Sequence, residues 1–194
     1  MLAALFVASS LFGLSQTKAK KGDYKFLKGE KTLTLVFDYS NMIVGKQLKE
    51  DAYVSKKVKD KNKKEAGSGD KWKESWLSAR EEKYEPKFVT LINKSMFKMG
   101  MVASKEAKAK YTMTVKTVYT EPGFNVGVMK KPAFVNYLFI FTDNESGKEV
   151  GRYLLEKVPG SQAAGFDYDV GTRIAESYAK GGKMIGAYIS KSNK

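Results

Sequence analysis

The chain has 194 residues, 35 lysines and arginines against 21 aspartates and glutamates, and a net charge of +14. It contains no cysteine and no histidine. Those two zeros exclude disulfides, thiolate nucleophiles, Cys/His zinc sites and Ser-His-Asp triads. Hydrophobic residues make up 42% of the chain, which is enough for one folded domain and argues against global disorder. Only Arg80, Arg152 and Arg173 are arginines; the remaining basic residues are lysines. Bidentate readers of guanine and phosphate rely on arginine, so this balance argues against a nucleic-acid partner and for diffuse attraction to anions. Ten of the fourteen excess charges fall within 44–64 and 88–116.

Leu2 to Leu14 is an uncharged run of apolar and small residues. It has the length of a signal-peptide core and is too short to span a bilayer. Small residues suit cleavage after Ser15 or after Ala19, and residues 1–19 are read as a signal peptide. With no cysteine to acylate, the exported product is expected to be soluble rather than lipid-anchored. No later segment is long and apolar enough for a transmembrane span. Residues 20–30 read as a polar spacer, and 31–190 as a single α+β domain.

Lys31–Tyr39 alternates with period two and predicts a strand. Residues 46–69 are lysine-rich with few hydrophobics and read as a loop insertion, although Ala52, Tyr53, Val54 and Val58 would suit a short helix or edge strand. Asp70 is placed to cap the next helix. Trp72, Trp76, Leu77, Tyr84, Phe88, Leu91, Ile92, Met96 and Met99 follow helical spacing, with Gly100 as the stop. Pro86 lies inside this pattern, so the helix kinks or restarts at Glu85. The tryptophan pair continues an apolar stripe, which points to packing rather than sugar stacking.

Lys110–Thr120 alternates again, and Glu121-Pro122-Gly123 ends that strand. Phe134–Thr142 is apolar on both faces, as in a central strand. Residues 143–148 form a turn, and Glu149–Val158 the return strand. A final helix is expected from about Asp169 to Ser190. Gly171, Ala175, Ala179, Gly182 and Gly186 form a small-residue stripe on it, which predicts close approach of the helix backbone to a sheet. The order β-α-β-β-β-α predicts an α+β fold: a single antiparallel or mixed sheet with two long helices packed on one face.

No catalytic constellation, metal site or cofactor motif emerges. Gly181-Gly182-Lys183 lacks the hydroxyl residue and spacing of a phosphate loop. Asp143–Gly147 lacks the ligands of a calcium loop. Asp38 and Glu121, at strand ends, are the one carboxylate pair that a periplasmic glycan hydrolase would need. The best candidate binding surface is EPGFNVGVMKKPA, residues 121–133. Phe124, Asn125, Lys130 and Lys131 on it, with Arg173 in the first turn of the last helix, would suit an acidic glycan or lipid headgroup.

The segments EPGFNVGVMKKPA and DVGTRIAESYAKGGKMIGAYI, with KTLTLVFDYSNM and the leader, resemble a family of small exported proteins of unknown function from Gram-negative anaerobes. The element order is similar to the α/β domain of the TolB amino-terminal domain and of the curli-secretion lipoprotein. The resemblance implies a non-enzymatic cell-envelope module located in the periplasm or at the outer membrane. Its partner would be an anionic envelope component or another envelope protein. No functional residue carries over from the family, and the sequence sets no oligomeric state.

Overall fold

The computed structural model describes residues 23–126, 129–160 and 170–194. The signal-peptide reading for 1–19 and the capping role given to Asp169 lie outside the described residues.

Alternating side chains make β1 (Thr32–Asp38), which buries Leu33 and Leu35 and turns Thr34 and Val36 outward. β2 (Ile43–Val44) and β3 (Leu48–Lys49) form a short hairpin. Helices α1 (Glu50–Asn62), α2 (Ser68–Ala79) and α3 (Glu85–Met96) follow, and then β4 (Val102–Ser104). β5 (Tyr111–Glu121) is the long central strand. β6 (Phe124–Val126) and β7 (Met129–Lys131) pair as a separate two-stranded ribbon. β8 (Phe134–Asp143), β9 (Glu149–Pro159) and α4 (Val170–Ser192) complete the chain.

Seven strands form one mixed sheet. β4, β1 and β5 run parallel; β8 and β9 are antiparallel to their neighbours. On the edge where β1 ends, β2 takes over the pairing with β5, Ile43 opposite Tyr119. A bulge between Thr117 and Tyr119 shifts the register there. The protein is therefore α+β with a mixed sheet, as its element order predicts.

One face of the sheet carries the core. Phe88 of α3 meets Phe37 of β1 and Phe139 of β8 at ring separations of 5.5 and 6.0 Å. Tyr178 of α4 shares a 2.6 Å hydrogen bond with Thr117, and Ser177 bonds the Tyr137 hydroxyl at 3.1 Å. These buried hydroxyls satisfy one another, so the core tolerates them.

Two expectations change. The two long helices are joined by a third, because α1 lies inside 46–69, where a loop is expected. α1 buries only Val54 fully, so it offers a stripe too narrow to stand out among lysines. It is held by its first residue: the Glu50 carboxylate accepts Trp76 Nε1 at 2.7 Å and Arg80 Nη2 at 2.5 Å. At Pro86 the helix restarts as expected, α3 beginning at Glu85. α2 and α3 join through one π-turn, Arg80–Tyr84. Proline at the start of α3 has no N–H to give and its ring crowds the preceding turn, which widening relieves. Asp70 sits within the first turn of α2, after a left-handed Gly67, rather than at its cap.

The spacer also contributes to the core. Tyr24 and Leu27 are buried around a 3-10 turn at Lys25–Leu27. Tyr24 and Phe26 pack on Phe141 with ring centroids 5.2 and 5.6 Å away. Asn193 Nδ2 donates to the Tyr24 carbonyl at 3.1 Å and ties the two ends of the described chain together. Three apolar or aromatic residues among lysines were enough for burial but too few to show a period.

Candidate functional site

The ribbon of β6 and β7 leaves β5 through a turn that only glycine can make. Gly123 has φ +66°, and a Cβ there would lie 2.4 Å from the Lys131 carbonyl and 2.7 Å from the Ala133 nitrogen. The ribbon then pairs Phe124 with Lys131 and Asn125 with Lys130. Between it, the β2–β3 hairpin and α1 lies an open cleft of about 380 Å³. Gly45, Leu48 and Tyr53 form one wall, and Pro122, Gly123 and Phe124 form the other. Lys46, Lys56, Lys57 and Lys131 rim it, against Asp60 and Glu121.

The charges are unequally committed. Lys56 pairs with Asp60 at 2.9 Å, one helical turn away. Glu121 is 7% exposed and accepts Lys131 Nζ at 2.6 Å and the Gly123 N–H at 3.2 Å. That hydrogen bond raises the Lys131 pKa, so its ammonium is held charged. Lys46 and Lys57 have no carboxylate partner among the described residues. Lys57 Nζ lies 5.8 Å from the centre of the Tyr53 ring. Burial, with the Glu121 charge nearby, pushes the Tyr53 phenol up to about 12 against the opposing pull of Arg173. Tyr53 is therefore a neutral hydroxyl at physiological pH, fit to donate a hydrogen bond and not to act as a base.

Of the residues that the sequence singles out, Phe124 and Lys131 line this cleft. Asn125 and Lys130 occupy paired positions on the ribbon. Arg173 does not reach the cleft surface. It is 6% exposed, and its Nε donates to the Pro122 carbonyl at 3.3 Å, so it props the turn from behind. The sequence does not single out Lys56, Lys57 and Asp60, and it marks Tyr53 only as part of a possible short helix or edge strand. Their spacing of i, i+3, i+4 and i+7 is one face of a helix, and that is the signal that could have found them.

Asp38 and Glu121 are kept apart. Asp38 stands opposite Lys116 on β5 and pairs with it, and Glu121 comes five residues later on that strand. At ~3.3 Å per residue the offset is about 16 Å, well beyond the spacing of a glycosidase pair. The calcium-like turn is closed by Asp143 itself, whose Oδ1 accepts the N–H groups of Glu145 and Ser146 at 3.1 and 2.9 Å. Among the described residues no group of three or more acidic side chains is gathered for a metal. Trp72 and Trp76 stack on each other at 5.5 Å, with Trp76 in the core.

No family model matches the chain, and no curated protein does. Among solved structures it is similar to the PelC dodecamer from Paraburkholderia phytofirmans, at 13% identity and a TM-score of 0.32. That match covers 84% of this chain and 88% of the other.

Proposed function

We propose that the chain is a non-enzymatic binding module of the cell envelope, exported by its leader, that takes an anionic envelope component in the cleft beside the 124–131 ribbon. The chemistry it suits is a phosphate or carboxylate on a polyhydroxyl body, as in a lipid headgroup or an acidic glycan. One observation carries this reading: an aromatic-walled cleft rimmed by four lysines, of which Lys46 and Lys57 have no carboxylate partner among the described residues. Ammonium groups without a carboxylate partner are available to an anion, and Leu48, Tyr53 and Phe124 supply the apolar surface that a sugar or glycerol face needs. Among the described residues, no helix is long and apolar enough to cross a membrane.

Titration calorimetry with polygalacturonate and with monomeric dihexanoyl-phosphatidylglycerol tests the proposal. Binding is expected at low salt and should weaken steeply as salt rises. The double variant Lys46→Glu, Lys57→Glu breaks no ion pair, so its fold should be intact. It should weaken binding by about tenfold or more. Equal affinity for the variant and the parent, or no heat with either probe, would remove the cleft as the site. Replacing Lys130 and Lys131 by Glu without effect would count against the ribbon.

A further inference from the structure

The ribbon carries apolar surface that the cleft does not use. Met129 is 61% exposed and, unlike Phe124, is not part of the cleft lining. From 124 to 131 the sequence reads Phe-Asn-Val-Gly-Val-Met-Lys-Lys, so an uncharged run gives way to two lysines. The ribbon is not part of the main sheet, and its lysine end faces the lysines of α1 across the cleft. The lysine run continues along the chain through Lys59, Lys61, Lys63 and Lys64.

We infer that this ribbon docks the protein on an anionic lipid bilayer, with Met129 entering the interface while Lys46, Lys56, Lys57 and Lys131 lie against the headgroups. The inference deepens the reading of the cleft and rests on it, since the same cations supply its electrostatic part. Membrane-surface binding needs two signals, because a small apolar insertion or a basic patch alone holds weakly. Both signals occur here on one ribbon and its facing helix. A soluble glycan would leave Met129 without a role. A protein partner is disfavoured by the cations present. Protein interfaces enrich arginine over lysine, and all three arginines are engaged elsewhere: Arg80 with Glu50, Arg152 with Glu149, and Arg173 on the Pro122 carbonyl. Lysine near an anionic leaflet gains affinity as a point charge without needing a geometric fit.

The test uses the full chain and its variants, so that residues 1–22 are common to all, and reads differences between them. Partitioning is measured on phosphatidylcholine vesicles with and without about 30% phosphatidylglycerol. Met129→Ser should reduce partitioning onto the anionic vesicles about fivefold and leave binding of dihexanoyl-phosphatidylglycerol and polygalacturonate unchanged. Met129→Trp should be quenched by brominated phosphatidylcholine in those anionic vesicles more than the native tryptophans are. Lys46→Glu, Lys57→Glu should weaken both vesicle and soluble-anion binding. Parental partitioning by Met129→Ser, or no added quenching in Met129→Trp, overturns the inference. If polygalacturonate binds while the ribbon is unquenched, the bilayer is wrong and the cleft stands. If vesicles depend on Met129 but neither soluble anion binds, the ribbon stands and the cleft falls.

Discussion

At the residue scale, the small-residue stripe of α4 shows how a composition signal can be right in kind and different in target. The glycines do mark close backbone approach. The partner of Gly182 and Gly186, however, is α3 rather than the sheet. A Cβ on Gly182 would sit 2.4 Å from the Phe88 carbonyl, and one on Gly186 would sit 2.9 Å from the Ile92 carbonyl. Gly181, beside that stripe, faces the sheet, where an added Cβ would sit 3.0 Å from the Tyr137 ring. Sequence shows that a residue is small, but it does not say which neighbour required it. Gly182→Ala therefore sets two effects against each other. Alanine improves helix propensity by about 1 kcal/mol. The clash is with backbone, which can yield only if α3 and α4 separate, at a cost of ~1–3 kcal/mol. The clash should exceed the gain, so urea unfolding should show a lower midpoint at unchanged slope. Gly181→Ala meets a ring that can shift, and it should lose less.

At the element scale, the long strands and the two apolar helices were legible because their periods run for seven residues or more. β2, β3, β4, β6 and β7 are two or three residues long, and no period can be read from so few positions. α1 was hidden for a different reason. Its packing residues, Tyr53, Val54 and Val58, are few among its lysines, and a polar anchor at its first residue adds to them. Glu50 holds Trp76 and Arg80, and the Arg80 guanidinium also lies 4.5 Å from the centre of the Tyr39 ring. The pair is mostly buried, with side-chain exposures of 22% and 14%, so removing one partner strands the other charge. Glu50→Gln should cost about 2 kcal/mol, since Arg80 keeps its ring contact and loses its counter-charge. The loss should be local. Hydrogen exchange should accelerate in 50–62 while the amides of β5 and β8 stay protected, because the lost anchor lies where α1 meets α2, whose Trp72 and Trp76 also pack on Tyr53, and not in the sheet. Uniform acceleration over the sheet would mean that α1 unfolds only with the core.

At the scale of the whole molecule, the charge of +14 costs stability, and under the proposed function it would serve attraction. The lysines of 44–64 crowd a short helix and hairpin at one end of the sheet, and those facing the cleft include Lys46 and Lys57, which have no carboxylate partner among the described residues. The sum was legible in composition. Its gathering around a cleft was not, because that required α1 to come beside β6 and β7, about seventy residues further along the chain. Like charges held close in the native state repel less when the chain unfolds, so they destabilise the fold at low ionic strength. Salt screens that repulsion, with a Debye length of about 30 Å at 0.01 M and about 8 Å at 0.15 M. The melting temperature should therefore rise by a few degrees, on the order of 1 kcal/mol, between those conditions. Affinity for polygalacturonate should fall over the same range, because the same screening removes the attraction. The two salt dependences share one cause and must run in opposite directions. Lys46→Glu, Lys57→Glu should flatten both together. A variant that flattened the binding curve but left the melting curve steep would show that the repulsion resides elsewhere, in the second basic stretch at 88–116.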